Sequence, residues 1–218
     1  MPQKPKYSKD EIVQIALEFV KQNGIEKLSA RELAKELKSS ICPIFTAFKD
    51  MEELKIEVKK RAKTEFLNYI SKAKDYVPAY KMRGMLFVKF AQNEPMLFQF
   101  LFMQKNNEKV NFTSAMEMSP FDKENDKKII MRDYNATESQ AEQMFTQMWI
   151  YTYGLCVLCA TKVCTFSEDE IAFRLGEIFQ GMVHVIKSNL EDKAKVKPAN
   201  KSKGESFFGV HPDLNKKD

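Results

Sequence analysis

Glycine is scarce, with 7 in 218 residues, and no alternating strand-like run occurs anywhere in the chain. Apolar residues instead recur at helical spacing over long segments, so the expected fold is all-α. Histidine is nearly absent, with only 2, His184 and His211, and no glycine-rich loop is present to cradle a phosphate. No stretch approaches the ~18 uncharged apolar residues of a membrane span, and MPQKPKYSKDE has no apolar signal core, so a cytoplasmic protein is expected. The 4 cysteines lack paired framework spacings, which favours reduced thiols over disulfides. Hydrophobic residues make up 44%, enough to exclude global disorder and to bury a core.

The net charge of +5 is unevenly placed: residues 1–75 carry +4, residues 76–190 carry −1 and residues 191–218 carry +2. A polyanion partner for the N-terminal part is compatible with this. Helix starts are written as capping boxes at Ser8–Glu11, Ser29–Glu32, Thr137–Gln140 and Ser167–Glu170, with Asp50 capping a further helix. Pro78 and Pro95 open two more. About nine helices are expected, with 105–120 as a loop, a helix over 121–134 and another over 138–164. From Glu191 the chain is rich in Lys and turn formers and reads as a basic, mobile tail, interrupted by the apolar island Phe207–Phe208.

The first three helices are short, and the last two are separated by a tight turn, which is helix-turn-helix geometry. In SSICPIFTAFKD (39–50), Ser40 is expected to cap a helix with Pro43 in its first turn, where the missing N–H costs nothing. Ile44, Ala47 and Phe48 then face inward. Ile41, Cys42, Pro43, Phe45 and Thr46 face outward, a surface suited to thymine methyls and sugars, with hydroxyls from Ser39, Ser40 and Thr46.

The pattern Ile12…Ala16-Leu17…Phe19…Gly24, then Leu28-Ser29-Ala30-Arg31-Glu32-Leu33-Ala34, then Ser40…Ile44-Phe45…Phe48-Lys49-Asp50-Met51-Glu52-Glu53-Leu54 resembles the tetracycline-repressor (TetR) family of bacterial transcription regulators. The likeness covers about the first 60 residues. It implies a DNA-binding domain at 1–50 and a ligand-binding and dimerisation domain at 51–190, whose first helix (51–75) connects the two. It implies phosphate contacts near Ser29 and the helix start at Ser40, base-edge contacts from Ile41, Cys42, Pro43 and Thr46 and a backbone-side role for Phe45, with Arg31, Ser39 and Lys49 also in the DNA-binding set. Lys38 stands where the family has a turn glycine, Phe45 where it has tyrosine, and Met51 where it has lysine.

Beyond residue 76 no catalytic constellation appears, so no enzyme, metal or cofactor is expected. Cys156-x-x-Cys159 lies inside an apolar helix without a second pair and reads as core. Methionine and aromatic residues are abundant there. The resemblance tips them towards a cavity for an apolar or amphipathic effector, lined by Met85, Phe98, Phe102, Met103, Met144, Met148 and Trp149. The two last helices carry apolar faces and mid-helix glycines. The family arrangement implies a homodimer through Tyr153, Gly154, Val157, Ile178, Gly181, Met182 and Val185. The reading is therefore a ligand-responsive repressor binding a palindromic double-stranded operator. The alternative is a helical protein-interaction module of the same fold without a cavity.

Overall fold

The computed structural model describes residues 6–105, 109–117 and 121–195, with side chains described as far as His184. The tail from residue 196, with Phe207–Phe208, lies outside the described residues. Ten α-helices follow one another, and no strand occurs among the described residues. They are α1 (Lys9–Asn23), α2 (Ala30–Glu36), α3 (Cys42–Ala47), α4 (Met51–Ser71), α5 (Ala79–Asn93), α6 (Pro95–Phe102), α7 (Phe112–Glu117), α8 (Lys123–Tyr134), α9 (Glu138–Ala160) and α10 (Glu168–Lys195).

Local chemistry accounts for most boundaries. Ser8 Oγ accepts from Glu11 N at 3.2 Å and Ser8 N donates to Glu11 Oε2 at 2.7 Å, a complete capping box. Thr137 with Gln140, and Ser167 with Glu170, complete theirs too. The box at Ser29 is half formed. Its Oγ caps Glu32 N at 3.3 Å, while the Glu32 carboxylate turns to Lys35 at 2.6 Å. The start of α5 has no cap of its own, and Ala79 N donates to Asp133 Oδ2 of α8 at 3.1 Å instead.

Two expectations are corrected. The segment 105–120 is not all loop, since α7 lies within it. Asn111 Oδ1 caps Ser114 N at 2.9 Å, and Met116 is buried. Helix α9 ends at Ala160, not at 164, because Lys162 adopts a left-handed φ of 59°. Lys162 N bonds Cys159 O and Val163 N bonds Leu158 O, the paired closing bonds of a Schellman turn.

By its internal packing the chain divides into Met1–Met182 and Val183–Asp218. Within the first unit the expected boundary at residue 50 is not a gap in packing. Ile12 and Val20 of α1, Leu33 of α2, Ile44 of α3, Leu54 and Phe66 of α4 and Leu97 of α6 belong to one buried cluster. Phe66 lies near its centre, edge-on to Phe87, Phe90, Phe102 and Phe121 with ring centroids 5.0–5.7 Å apart. Lys9–Glu53 and Lys21–Glu65, each at 2.7 Å, and an Arg61–Asp10 pair strap α1 to α4. These pairs are partly exposed and add little to stability beside the apolar contacts beneath them.

Candidate functional site

Helix α2 closes on a second Schellman turn. Lys38 N donates to Lys35 O at 2.9 Å and Ser39 N to Ala34 O at 3.0 Å. The residue in the left-handed position is Lys38, with φ 46°, where the resembling family has glycine. Tyr7 Oη donates to Leu37 O at 2.5 Å and secures the same corner. Helix α3 begins at Cys42, one position later than expected. Its N-cap is Ile41 and Ser40 Oγ accepts from Cys42 N at 3.3 Å, so the serine serves the first turn from just outside it. Pro43 lies in that first turn.

Ile44 and Phe48 are buried and Ala47 is half-buried against the core. Ile41 is 46% exposed and Phe45 44% exposed, with Cys42 and Thr46 open beside them and Pro43 half-buried. Thr46 has a partner within its own helix. Its hydroxyl donates to Cys42 O at 2.8 Å within the helix, which leaves its methyl and its oxygen lone pairs outward. Ser29 Oγ is likewise engaged as a cap, while Ser29, Arg31, Ser40 and Lys49 are exposed and Ser39 half-buried. Among the described residues, Arg31 and Lys38 form no ion pair, whereas Lys35 and Lys55 pair with Glu32 and Glu52, and Lys49 lies beside Glu53, whose Oε2 accepts from Lys49 N at 2.7 Å.

A cavity of about 80 Å³ opens between α5, α8, α9 and α10. Its walls are mostly aromatic and aliphatic, with Phe87 from α5, Phe121 from the segment before α8, Phe145 and Trp149 from α9, and Phe179 from α10 among them. Gly84 lets α10 close against α5: a Cβ there would stand 3.2 Å from Leu175 Cδ1. Into this apolar setting project Arg83 and Asp126, whose side chains are only 12% and 3% exposed. Arg83 Nε stands against Asp126 Oδ1 as an ion pair. The two are not aligned as a hydrogen bond, and neither has another partner among the described residues. Burial pushes the Asp126 carboxyl up to about 6, against the downward pull of the guanidinium. Burial and the Asp126 charge also push the Tyr80 phenol well above its ordinary value, and burial raises Tyr134 to about 12.

Of the residues expected to line a ligand cavity, Met148 and Trp149 do so. Phe98 and Phe102 fill the aromatic core instead, stacked on each other at 4.9 Å. Met144 is buried, and Met85 and Met103 pack against the core cluster away from the cavity. Helical phase decides this: Tyr80, Arg83, Gly84 and Phe87, not Met85, occupy the face of α5 turned to the cavity. Tyr80, Arg83, Asp126, Tyr134 and Phe179 were not expected. Their one sequence signal is polarity at a core phase, since Arg83 lies at i+4 from buried Ala79 and Asp126 at i−4 from buried Ile130.

Of the residues expected at a dimer face, some are exposed and others pack into the chain's own core. Tyr153 points inward, its hydroxyl donating to Phe102 O at 2.9 Å and its ring stacked on Trp149 at 5.1 Å. Val157, Ile178 and Met182 are half-buried against the core, and the side chain of Val185 lies outside the described residues. Gly154 and Gly181 are exposed, with open space where a Cβ would sit. On α9 the outward row is Ile150, Gly154 and Leu158, and on α10 Phe173 is 64% exposed.

Cys156 and Cys159 are buried. Burial holds both thiols up, Cys156 well above its ordinary value and Cys159 at about 11, and Cys159 Sγ donates to Gln92 Oε1 at 3.3 Å. They behave as packing residues rather than nucleophiles. Among the described residues no three His, Cys, Asp or Glu side chains converge as a metal site, and no helix is long and apolar enough to cross a membrane. Compared with protein-family models and with curated proteins, the chain matches none.

Proposed function

We propose that the chain is a ligand-responsive DNA-binding regulator of the tetracycline-repressor type, acting as a homodimer. The observation that carries this reading is α3. A six-residue helix with a buried inner side leaves Ile41, Cys42, Phe45 and Thr46 outward, with the exposed cations Arg31, Lys38 and Lys49 in the same segment, the first two without an ion-pair partner among the described residues. Apolar side chains ringed by positive charge suit methyl and sugar contact within a phosphate-lined groove. The outward row on α9, with Phe173 and Gly181 on α10, supports pairing of two copies, which would set two reading helices about one DNA turn (~34–36 Å) apart. A cavity ligand that prefers one of two subunit geometries would then shift DNA affinity.

Fluorescence anisotropy tests this with the DNA upstream of the gene and with random DNA of equal length, at about 150 mM salt. Preferential binding that weakens steeply as salt rises supports the reading. Equal affinity for both DNAs overturns it. Within the regulator reading, Thr46→Ala alters sequence preference, whereas Lys49→Ala weakens all sequences alike and lowers the salt slope by about 1. A protein partner for α3, without DNA, is the rival class, and the cavity weighs against a module built for surface contact alone.

A further inference from the structure

The cavity holds two sets of hydrogen-bond donors that the fold leaves unclaimed. Arg83 approaches Asp126 most closely through Nε, and neither Nη donates to a described residue or belongs to the buried unpaired atoms. Trp149 Nε1–H is buried on the same wall, also without a partner there. A buried donor such as the Trp149 N–H is as a rule satisfied, and a guanidinium edge on the wall of a mostly apolar cavity is a strong, directional site for a carboxylate. The charges on the lining agree. Lys81 and Arg83 are positive, Asp126 is the one carboxylate, and it is already placed against Arg83. A cationic ligand would have to compete with that guanidinium for Asp126, whereas an anion meets donors that nothing else uses.

Size limits the rest of the ligand. One water needs roughly 10–15 Å³ of such space, so a cavity of about 80 Å³ holds roughly six heavy atoms, one six-membered ring, and places a carboxylate carried on that ring at the cavity rim. Phe87, Phe145 and Trp149 present ring faces and edges to it. We infer that this cavity takes a single-ring aromatic carboxylate, its ring among Phe87, Phe145 and Trp149 and its carboxylate on the Nη atoms of Arg83. The physiological meaning of that binding rests on the regulator reading above, while the binding itself does not.

Trp149 is the only tryptophan, so its fluorescence reports directly on the cavity. Benzoate, benzamide and benzylamine are titrated separately at one ionic strength. Benzoate is expected to give a saturable change with at least about tenfold higher affinity than benzamide, a difference of about 1.4 kcal/mol, and benzylamine none. The double variant R83Q/D126N replaces the charged pair by a neutral one of similar shape. It is expected to abolish the preference for benzoate while benzamide binding stays as it was. If that variant does not fold by circular dichroism, R83K retains the charge, loses the fork, and is expected to weaken benzoate alone. Equal affinity for benzoate and benzamide, tighter binding of benzylamine, no saturable change with any of the three at millimolar concentration, or an unchanged preference in a folded variant each overturn the inference. Anisotropy with upstream DNA, with and without benzoate, separates the two readings. Benzoate that binds without changing DNA affinity counts against the regulator and supports the assigned ligand class. Specific DNA binding without any benzoate binding counts against the ligand class alone.

Discussion

The Arg83–Asp126 pair sets burial against Coulomb attraction, and a pH series decides between them. Burial outweighs the guanidinium and holds the folded carboxyl at about 6, above its ordinary 3.8. The folded chain therefore keeps this proton over a range in which the unfolded chain has released it. The contribution to stability is fully present below about 3.8 and is lost as pH rises through about 6. A difference of about 2.2 pH units corresponds to about 3 kcal/mol in total. Integrated over the titration, about half of this is gone by pH 5 and about half goes between pH 5 and pH 8. Asp126→Asn removes the titration and leaves the charge of Arg83 in place throughout. The variant carries a constant offset from the less well matched guanidinium, and only the slope matters. Urea denaturation of both proteins from pH 5 to pH 8, without ligand, is expected to show the natural protein losing about 1–2 kcal/mol relative to D126N as pH rises. A flat difference, or a natural protein that gains on D126N with pH, would mean that the guanidinium wins. The ordering of burial over attraction would then be wrong.

Three further outcomes are expected. Phe66→Ala removes the ring that Phe87, Phe90, Phe102 and Phe121 surround and should cost about 3–5 kcal/mol in chemical denaturation, since so crowded a site cannot collapse. Lys38→Gly should stabilise by about 0.5–1 kcal/mol, read as a raised denaturation midpoint, because the left-handed φ of 46° strains any residue with a Cβ. Leu158→Glu, at a position 38% exposed, should leave the circular dichroism melt nearly unchanged and convert dimer to monomer in sedimentation velocity; a dimer that persists places the pairing surface elsewhere.

What could be read from the chain alone follows the range of each interaction. The caps at Ser8, Thr137 and Ser167 join residues three apart, so their partners are visible in the string of letters, and those helix starts agree with the structure. The same locality placed Pro43 in the first turn of α3 and gave Ile44 and Phe48 to the core. The start of α5 depends on Asp133, fifty-four positions away, and no local pattern announces such a cap. Helix α7 was hidden because one and a half turns carry too few apolar repeats to show a period. The cavity was misplaced on α5 for a different reason. Composition marks Met and Phe as candidates but cannot tell which phase of a helix with apolar residues all round it faces a neighbour. Phe98 and Phe102 thus went to the core and Arg83 to the cavity.

The turn between α1 and α2 has a mechanical consequence. Gly24, at φ 83°, ends α1 against α6, and a Cβ built on it would stand 3.4 Å from Met96 Sδ. Helix α6 continues into Phe98, whose ring lies 5.6 Å from that of Phe87 on the cavity wall. No slack linker separates the first three helices from the remainder of the Met1–Met182 unit, because one close-packed core runs through both. Under the proposed regulator reading, a signal from the cavity to α3 would therefore move the α1–α4–α6 block as one solid piece.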